Sequence, residues 1–310
     1  MKKMRVAVIG VGHLGAIHGH IYNALPNVEL IGVCDTFRQR AQAVAQQLEV
    51  KPYYRHADLL RVSLDAVSIA VPTNAHYSVA RDFLKRGVHT LIEKPISTSL
   101  REARTLTKLA EKHNCILQVG HVERFNTAIE ALRDIAVLPK FIEVHRLGPF
   151  TKRSLDIGVV LDLMIHDIDI ILSLVNSEVK KVEAVGVKVL SPYEDIANAR
   201  IMFANGSVAN ITASRLTPEA QRKIRVFIKD AYISLDYARQ EAFLYRKRGK
   251  RIFKKRVDIK KEQPLQRELR AFIRCVKKKA PPIVSGKDAS RALALALTIE
   301  KHIRKSFRKK

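Results

Sequence analysis

The sequence has only three cysteines, Cys34, Cys115 and Cys275, and they lie far apart in apolar surroundings. An odd number of widely separated cysteines favours neither a disulfide framework nor a zinc site. A His-Glu-x-x-His motif is also missing, so we expect no resident metal. A reducing cytoplasm is the expected compartment.

The sequence also lacks a long apolar run. None approaches the roughly 18 residues that a membrane-spanning helix requires, so we expect no membrane span. The first residues, Met1-Lys2-Lys3-Met4-Arg5 and the apolar stretch that follows, imitate a signal peptide. Cleavage there would remove the strand and glycines described below, so we interpret the start as part of the folded domain.

Acidic residues are scarce, with 30 Asp and Glu against 56 Lys and Arg and a formal net charge of +26. Residues 241–310 hold 24 of the basic and 6 of the acidic residues. Such a segment could contact nucleic acid, anionic lipid or a phosphorylated ligand. No zinc-finger spacing and no interleaving of aromatic and basic residues accompanies the charge, which favours a solvated basic face over a nucleic-acid site.

The length of 310 residues suggests about two domains. The strongest motif stands at the start, where the β-branched run Arg5–Ile9 predicts a buried parallel strand. It ends in Gly10-x-Gly12-x-x-Gly15 and continues into a helical pattern over 13–25. The first glycine permits a tight bend, the second lets the backbone approach a pyrophosphate, and the third lets the helix lie close to the strand. The helix N-terminus offers N–H groups to the phosphates, which indicates a dinucleotide site.

An acidic residue supports this interpretation. A second apolar strand, 29–34, ends in Asp35, twenty positions after Gly15. An acid there can accept both ribose hydroxyls of adenosine and would repel a 2′-phosphate, so NAD is favoured over NADP. A glycine turn without any ligand is the alternative.

Strands and helices alternate as far as Gly120. We predict strands over 65–71, 88–92 and 116–119 and helices over 37–48, 75–85 and 99–113, hence a doubly wound parallel sheet in a first domain, 1–120. Ligands of such sheets bind beyond the carboxyl ends of the strands. The residues at those ends are Pro72, Thr73, Asn74, Glu93, Lys94, Gln118 and His121, and we expect them around the nicotinamide.

The pattern changes after Gly120. We predict a second α+β domain, 121–310, with helices over 126–135 and 160–175 and a large, mainly antiparallel open sheet. Asn205-Gly206 between two strands is a strong hairpin signal. Helices over 264–277 and 287–307 close the chain, and the last one could fold back onto the first domain.

The helix 160–175 places ionisable side chains beside an apolar stripe. Asp162, His166 and Asp169 follow one another at i, i+4 and i+7, which suits a helix that borders a cleft. A solvated helix edge is an equally good explanation of this segment alone. Lys94 could likewise be a surface lysine, but its place at a strand end between an acid and a proline argues for a function.

These motifs together resemble the Gfo/Idh/MocA oxidoreductases. The resemblance rests on the glycine motif, Val71-Pro72-Thr73 with His76, Glu93-Lys94-Pro95, Gly120-His121-x-x-Arg124-Phe125 and Asp162-x-x-x-His166-x-x-Asp169, in order through nearly the whole chain. Segments 146–150, 156–163 and 216–218 are similar to the UDP-N-acetylglucosamine 3-dehydrogenase-like branch. The lead-in to the catalytic helix departs from the family by holding only one glycine, Gly158.

The resemblance implies hydride transfer between NAD and a sugar carbinol carbon, with Lys94, His166 and Asp162 as catalytic residues. It implies cofactor contacts from Gly10, Gly12, His13, Leu14, Gly15, Asp35, Thr36, Arg40, Val71, Pro72, Thr73, Asn74, His76, Glu93, Lys94 and Gln118. It implies substrate contacts from His121, Arg124, Phe125, Asn126, Arg153 and Asp169. Because the reference pKa of His is roughly 6.5 and that of Lys roughly 10.4, His166 is the better base and Lys94 the better fixed cation, although burial could exchange these roles.

The branch implies oxidation at C3 of a UDP-N-acetylglucosamine-type sugar, coupled to an aminotransferase, by a homodimer or homotetramer. Five basic residues are candidates for the diphosphate: Arg124, Arg146, Lys152, Arg153 and Arg215. A dehydrogenase of a free polyol is one alternative. A non-catalytic NAD-binding regulator with a nucleic-acid-binding basic tail is another.

Overall fold

The computed structural model describes residues 3–135, 138–151 and 157–307 of the chain. Within them the chain divides into two compact units. The first unit contains residues up to His121 together with Leu265–Ser290, and the second contains Val122–Pro264 together with the residues from Arg291 onward.

The first unit is built around a six-stranded, entirely parallel sheet in the order β3-β2-β1-β4-β5-β6. Its strands are β1 (Met4–Ile9), β2 (Val28–Cys34), β3 (Lys51–Tyr53), β4 (Ala66–Ile69), β5 (His89–Glu93) and β6 (Leu117–Gly120). Strands β1 and β4 are buried along most of their length, which explains their continuous apolar sequences. The doubly wound sheet predicted from the alternation is confirmed.

Five helices connect these strands: α1 (His13–Asn23), α2 (Arg38–Leu48), α3 (His56–Leu59), α4 (Thr73–Lys85) and α5 (Leu100–Lys112). The Ser99 hydroxyl accepts a hydrogen bond from the Glu102 amide and so caps α5, as the capping-box sequence indicates. The short β3 and α3 were not predicted, because three or four residues are too few to show a periodicity.

The second unit carries an eight-stranded sheet in the order β14-β13-β12-β11-β7-β10-β9-β8. Its strands are β7 (Phe141–Leu147), β8 (Val179–Val187), β9 (Ile196–Phe203), β10 (Val208–Ser214), β11 (Gln221–Ile228), β12 (Ala231–Asp236), β13 (Glu241–Arg248) and β14 (Arg251–Val257). All neighbours are antiparallel except β7 and β10, which confirms the large, mainly antiparallel sheet.

Helices cover one face of this sheet. They are α6 (Thr127–Ile135), α7 (Ile165–Leu174), which continues a π-helical turn over Val160–Met164, and most of α9 (Gly286–Phe307). Inward side chains such as Ile142, Val144 and Ile211 pack with Ile168 and Ile299 in one apolar core. The apolar stripe of the last helix therefore faces the core of the second unit.

The unit boundaries differ from the predicted domains at the C-terminal end. Helix α8 (Pro264–Lys278) buries Leu269, Phe272, Ile273 and Val276 against the core of the first unit, so the chain returns to the first unit before it completes the second. The sequence predicted that the last helix, and not α8, could fold back onto the first domain. In the structure only the first residues of that last helix, up to Ser290, belong to the first unit. Both helices are amphipathic, so their sequences do not identify which core each one covers.

No helix of the described residues combines the length and apolar character needed to cross a bilayer. The three cysteines are buried free thiols. Over the same part of the chain, no group of three or more His, Cys, Asp or Glu side chains is arranged to hold a metal ion.

Candidate active site

The glycine motif forms the turn between β1 and α1, and each glycine meets a different requirement. Gly10 has a φ of +82°, and a Cβ there would lie 2.6 Å from the Ala70 carbonyl oxygen. A Cβ on Gly15 would collide with the Gly10 carbonyl oxygen, so only glycine lets α1 lie this close to the strand. A Cβ on Gly12 would meet nothing within 4 Å. Gly12 therefore borders open space at a helix start that no side chain caps, which fits a bound pyrophosphate.

Asp35 is fixed at the end of β2 by backbone donors. Its Oδ2 accepts from the Val11 amide at 3.0 Å and its Oδ1 from the Phe37 amide at 2.9 Å. The Arg40 guanidinium lies 3.3 Å from Oδ2 and stacks over the Phe37 ring. Asp35 is thus an acid at the position where an adenosine ribose binds in this fold, with Thr36 exposed beside it.

We expect NAD to bind at least roughly tenfold more tightly than NADP, because the Asp35 carboxylate would repel a 2′-phosphate. Replacement of Asp35 by serine should reduce the difference in affinity between NAD and NADP, since Arg38 and Arg40 then attract the 2′-phosphate. The chain has no tryptophan, so calorimetric titration of both cofactors is the suitable measurement. Tighter binding of NADP to the unmodified protein would contradict this role of Asp35.

The predicted nicotinamide-side residues lie at the carboxyl ends of β4, β5 and β6. Pro72 and Asn74 are exposed at the start of α4, and Lys94 is half-buried directly after β5. His76 is different, because it is 1 % exposed and its two ring nitrogens lie 2.8 Å from the Pro95 carbonyl oxygen and 2.9 Å from that of Val71. His76 therefore joins the segments after β4 and β5. Burial lowers its pKa.

Gln118 and Glu93 are also buried. The Gln118 side chain is 0 % exposed and donates through Nε2 to the Glu268 carbonyl oxygen on α8. The Glu93 carboxylate lies 3.3 Å from the ring of His18 on α1. His18 and its neighbours Tyr22 and Ser68 were not singled out in the sequence, where a histidine three positions after Gly15 has no pattern that distinguishes it from a solvated helix residue.

The helix that carries Asp162 and His166 begins irregularly. Its first turn, Val160–Met164, is π-helical, so the side chains do not advance by a constant angle from Asp162 to Asp169. Asp162 and His166 are both half-buried, whereas Asp169 is 2 % exposed. The third member of the predicted stripe, Asp169, is therefore more buried than the other two.

Asp167, next to His166, holds this helix to the sheet. It is 0 % exposed and accepts from Arg146 Nε at 2.8 Å and from the Tyr237 hydroxyl at 2.6 Å. Arg146 also donates to Glu123 at 3.2 Å. Burial alone would lower the pKa of Arg146, but Asp167 and Glu123 more than offset it and raise this pKa well above its ordinary value. Arg146 is consequently not available for a substrate diphosphate, contrary to the prediction.

The lead-in to the helix is held by two further buried charged residues, Arg215 and Glu194. Arg215 donates to Asp195 at 2.8 Å and to the Ile157 carbonyl oxygen at 3.2 Å, and it is 5 % exposed. It too is unavailable for a diphosphate. Glu194 lies against Gly158, where a Cβ would collide with its carboxylate, and its Oε1 accepts from the Val160 amide at 3.4 Å. Gly158 is thus the glycine of this lead-in that the close approach of the Glu194 carboxylate requires.

Glu194 has a second acid beside it, Glu300 on α9. Burial and then the charge of Glu194 raise the pKa of Glu300 to about 7, although Arg304 lies 3.2 Å away. The folded protein therefore binds a proton at Glu300 that the unfolded chain releases near its ordinary pKa of 4.5. The free energy of unfolding should fall as the pH rises from about 4.5 to about 7 because of this group.

Glu300→Gln removes this titration. The difference in free energy of unfolding between the variant and the unmodified protein should change by about 2–3 kcal/mol in favour of the variant from pH 5 to pH 8. The reason is that only the carboxylate carries a desolvation cost. Urea denaturation at both pH values measures the difference, with the exposed Glu219→Gln as control. An equal effect of Glu300→Gln at both pH values would contradict the raised pKa.

The predicted substrate residues that the structure describes are buried, and one lies outside the described residues. Arg124 and Asp169 are brought together, with Nη1 3.4 Å from Oδ1, and both are largely buried. Asn126 caps α6 by accepting from the Ala128 amide and donates to Glu123 and to the Tyr237 carbonyl oxygen. His121 and Phe125 are each 1 % exposed. Arg153 and the neighbouring Lys152 lie outside the described residues.

The chain is similar to known oxidoreductases over nearly its whole length. Residues 4–121 match the model of the Gfo/Idh/MocA oxidoreductase family, NAD-binding Rossmann fold, and residues 128–234 match the family's C-terminal domain. A UDP-N-acetylglucosamine 3-dehydrogenase from Acidithiobacillus ferrooxidans is 38% identical over 306 residues, which cover 96% of this chain and 97% of that protein. A myo-inositol 2-dehydrogenase from Thermotoga maritima is 27% identical over 97% of this chain and 96% of its own.

The solved structures agree in fold. The structure of the Acidithiobacillus ferrooxidans enzyme covers 98% of each chain with a TM-score of 0.92. That of a scyllo-inositol dehydrogenase from Lactobacillus casei, which contains NAD(H) and scyllo-inositol, has a TM-score of 0.85 at 18% identity and covers 98% of each chain.

Proposed function

We propose, from the premise that this chain belongs to the Gfo/Idh/MocA family of NAD-binding oxidoreductases, that it oxidises C3 of a UDP-N-acetylglucosamine-type nucleotide sugar. It is an NAD-dependent dehydrogenase that acts on the CH–OH group of a sugar. The observation that carries the substrate proposal is the 38% identity, over almost the full length of both chains, to an enzyme with this name. Relatives at 27–29% identity include dehydrogenases named for free inositols.

The residues of the first unit fit NAD. Gly12 leaves open space at the start of α1 for a pyrophosphate, with His13 and Leu14 exposed there, and Asp35 would hold the adenosine ribose. Val71, Thr73, Asn74 and Lys94 would contact the nicotinamide half. NAD, when bound, takes up the hydride that leaves the sugar carbon. His76, Glu93 and Gln118 would act by holding these segments, because each has a polar atom in contact with another part of the unit.

We assign the chemistry to Lys94, His166 and Asp162. Removal of a hydride from a carbinol carbon requires the hydroxyl proton to leave. We propose that His166 takes this proton, because its ordinary pKa is near neutrality. The Lys94 ammonium stabilises the developing alkoxide charge, and Asp162 orients His166 or a neighbouring sugar hydroxyl. Burial of Lys94 in the complex would reverse the first two roles.

The substrate residues are fewer than the sequence suggested. Arg124 and Asp169 form a buried pair, and we propose that this pair contacts the sugar. Arg146 and Arg215 hold carboxylates of the protein itself, so the diphosphate proposal now depends on Arg124, Lys152 and Arg153. The substrate assignment therefore rests on the relatives rather than on a row of free arginines.

We propose two further partners. Four aromatic side chains lie in a row on the sheet face opposite the apolar core, with successive ring centroids 5.7, 5.2 and 4.4 Å apart: Phe141, Phe227, Tyr232 and Tyr245. Such an aromatic face suits a homodimer or homotetramer. The 3-keto product carries a carbonyl group that a partner aminotransferase could consume.

The test is incubation with UDP-sugars, NAD and a hydrazine trap, followed by mass analysis. Alcohol oxidation by NAD is uphill near neutrality, so the trap is needed to draw the reaction forward. We expect a UDP-N-acetylglucosamine product two hydrogens lighter, recovered as its hydrazone. An unchanged UDP-sugar alongside oxidation of an inositol would contradict the substrate proposal and leave the family assignment intact. A salt-sensitive shift of DNA without any turnover would instead favour a regulator.

A further inference from the structure

His18 occupies a buried position that the proposed chemistry does not use. It lies on α1, one turn after Gly15, and is 0 % exposed. Its Nδ1 lies 2.7 Å from the Ser68 hydroxyl on β4, and its Nε2 lies 3.3 Å from Oε1 of Glu93 on β5. The ring therefore connects the helix that begins at the cofactor loop to two strands of the parallel sheet.

The ring makes one hydrogen bond and one electrostatic contact. Its Nδ1 and the Ser68 hydroxyl lie within hydrogen-bond distance at 2.7 Å. Its Nε2 faces the Glu93 carboxylate at 3.3 Å, which is an ion-pair distance without hydrogen-bond geometry. The His18 ring is therefore hydrogen-bonded to β4 and lies against the carboxylate on β5.

The other oxygen of Glu93 points to the catalytic segment. Oε2 accepts from the backbone amide of Lys94 at 3.3 Å. The carboxylate also lies over Gly120 of the adjacent strand, where a Cβ would be 2.7 Å from Oε2. Glu93 is 7 % exposed, so water has little access to replace either contact. One carboxylate oxygen lies against the His18 ring, and the other accepts from the amide of Lys94.

We propose that His18 is a positioning residue for Lys94 and acts through the Glu93 carboxylate. The inference rests on the proposed function, since Lys94 must contact the reacting sugar for its position to affect the rate. Without His18, Glu93 can rotate about its side-chain bonds, and the Lys94 amide loses its acceptor. The same helix begins at the cofactor loop, so the connection also fixes the register between that loop and the catalytic lysine.

The first measurement needs no substrate. Hydrogen exchange at the Lys94 amide should be roughly tenfold faster in His18→Ala than in the unmodified protein, because its acceptor is no longer held. His20→Ala is the matched control, since His20 lies two positions along the same helix and is exposed. Equal exchange in His18→Ala and the unmodified protein would overturn the proposal whatever the substrate is.

The second measurement uses a sugar that the unmodified enzyme oxidises. We expect His18→Ala to lower kcat by roughly 10²-fold, with KM and the dissociation constant of NAD within about twofold of the unmodified values. The primary deuterium isotope effect on kcat should rise, because hydride transfer becomes slower than product release. General destabilisation of the fold would not produce this combination.

Gly120→Ala provides an independent variant that leaves His18 in place. Its Cβ displaces the Glu93 carboxylate, so it should reproduce both the faster exchange at Lys94 and the lower kcat. Full kcat in either variant, a comparable loss in His20→Ala, or a loss explained by weaker NAD binding would overturn the proposal. If no sugar is oxidised by the unmodified protein, the proposed function fails, and the exchange measurement still decides whether His18 positions Lys94.

Discussion

Lys94→Ala is expected to lower kcat for sugar oxidation by roughly 10²–10⁴-fold while NAD still binds, because the variant loses a charge at the reacting oxygen and nothing at the adenosine half. Steady-state rates with UDP-N-acetylglucosamine and calorimetric titration of NAD measure the two properties separately. Lys85→Ala is the matched control, an exposed lysine at the end of α4. Full activity of Lys94→Ala would remove the residue from the mechanism.

A second substitution at this position distinguishes the two possible roles of the lysine. Arginine keeps the positive charge but cannot release a proton near neutrality. If Lys94 is a fixed cation, Lys94→Arg should retain more activity than Lys94→Ala, and His166→Ala should lose the dependence of kcat on an ionisation near neutral pH. If Lys94 is the base, Lys94→Arg should be as inactive as Lys94→Ala, and the ionisation should persist in His166→Ala.

The parallel sheet and the cofactor loop were predictable because local signals determine them. Buried parallel strands read as short apolar runs, and the close approaches at Gly10 and Gly15 admit no side chain. A strand end is also a position along the chain, so the sequence alone places Asp35 and Lys94 at the carboxyl edge of the sheet. Their surroundings, such as the hydrogen bonds to Asp35, follow from contacts between distant segments.

The direction of polar side chains was not predictable. Arg146 and Arg215 were assigned to a diphosphate because they lie near the catalytic helix. Each instead forms an ion pair with a buried carboxylate of the protein. His18, Asp167 and Glu194 show the converse, since their roles depend on partners far away in the sequence. The π-helical turn before His166 also escapes detection, because one inserted residue changes the phase of the helix without changing its composition.

The buried network around Asp167 gives the largest expected effect on stability. Asp167 accepts two hydrogen bonds from Arg146 and one from the Tyr237 hydroxyl, and the three side chains are nearly inaccessible to water. Asp167→Ala leaves the Arg146 charge with Glu123 as its remaining carboxylate partner among these contacts. We expect a loss of about 3–5 kcal/mol in the free energy of unfolding, measured by urea denaturation.

A double variant separates the unpaired charge from the other consequences of this substitution. Asp167→Leu combined with Arg146→Met replaces the ion pair by apolar side chains of similar volume, and should recover much of the stability that Asp167→Leu alone loses. Asp230→Ala, in an exposed turn, should stay within about 0.5 kcal/mol of the unmodified protein. Because Asp167 adjoins His166, the double variant should remain poorly active even where it is stable, since the helix loses the contacts that fix its rotation against β7. Recovery of full activity with stability would show that the ion pair serves folding alone, and an undiminished stability of Asp167→Ala would contradict the network itself.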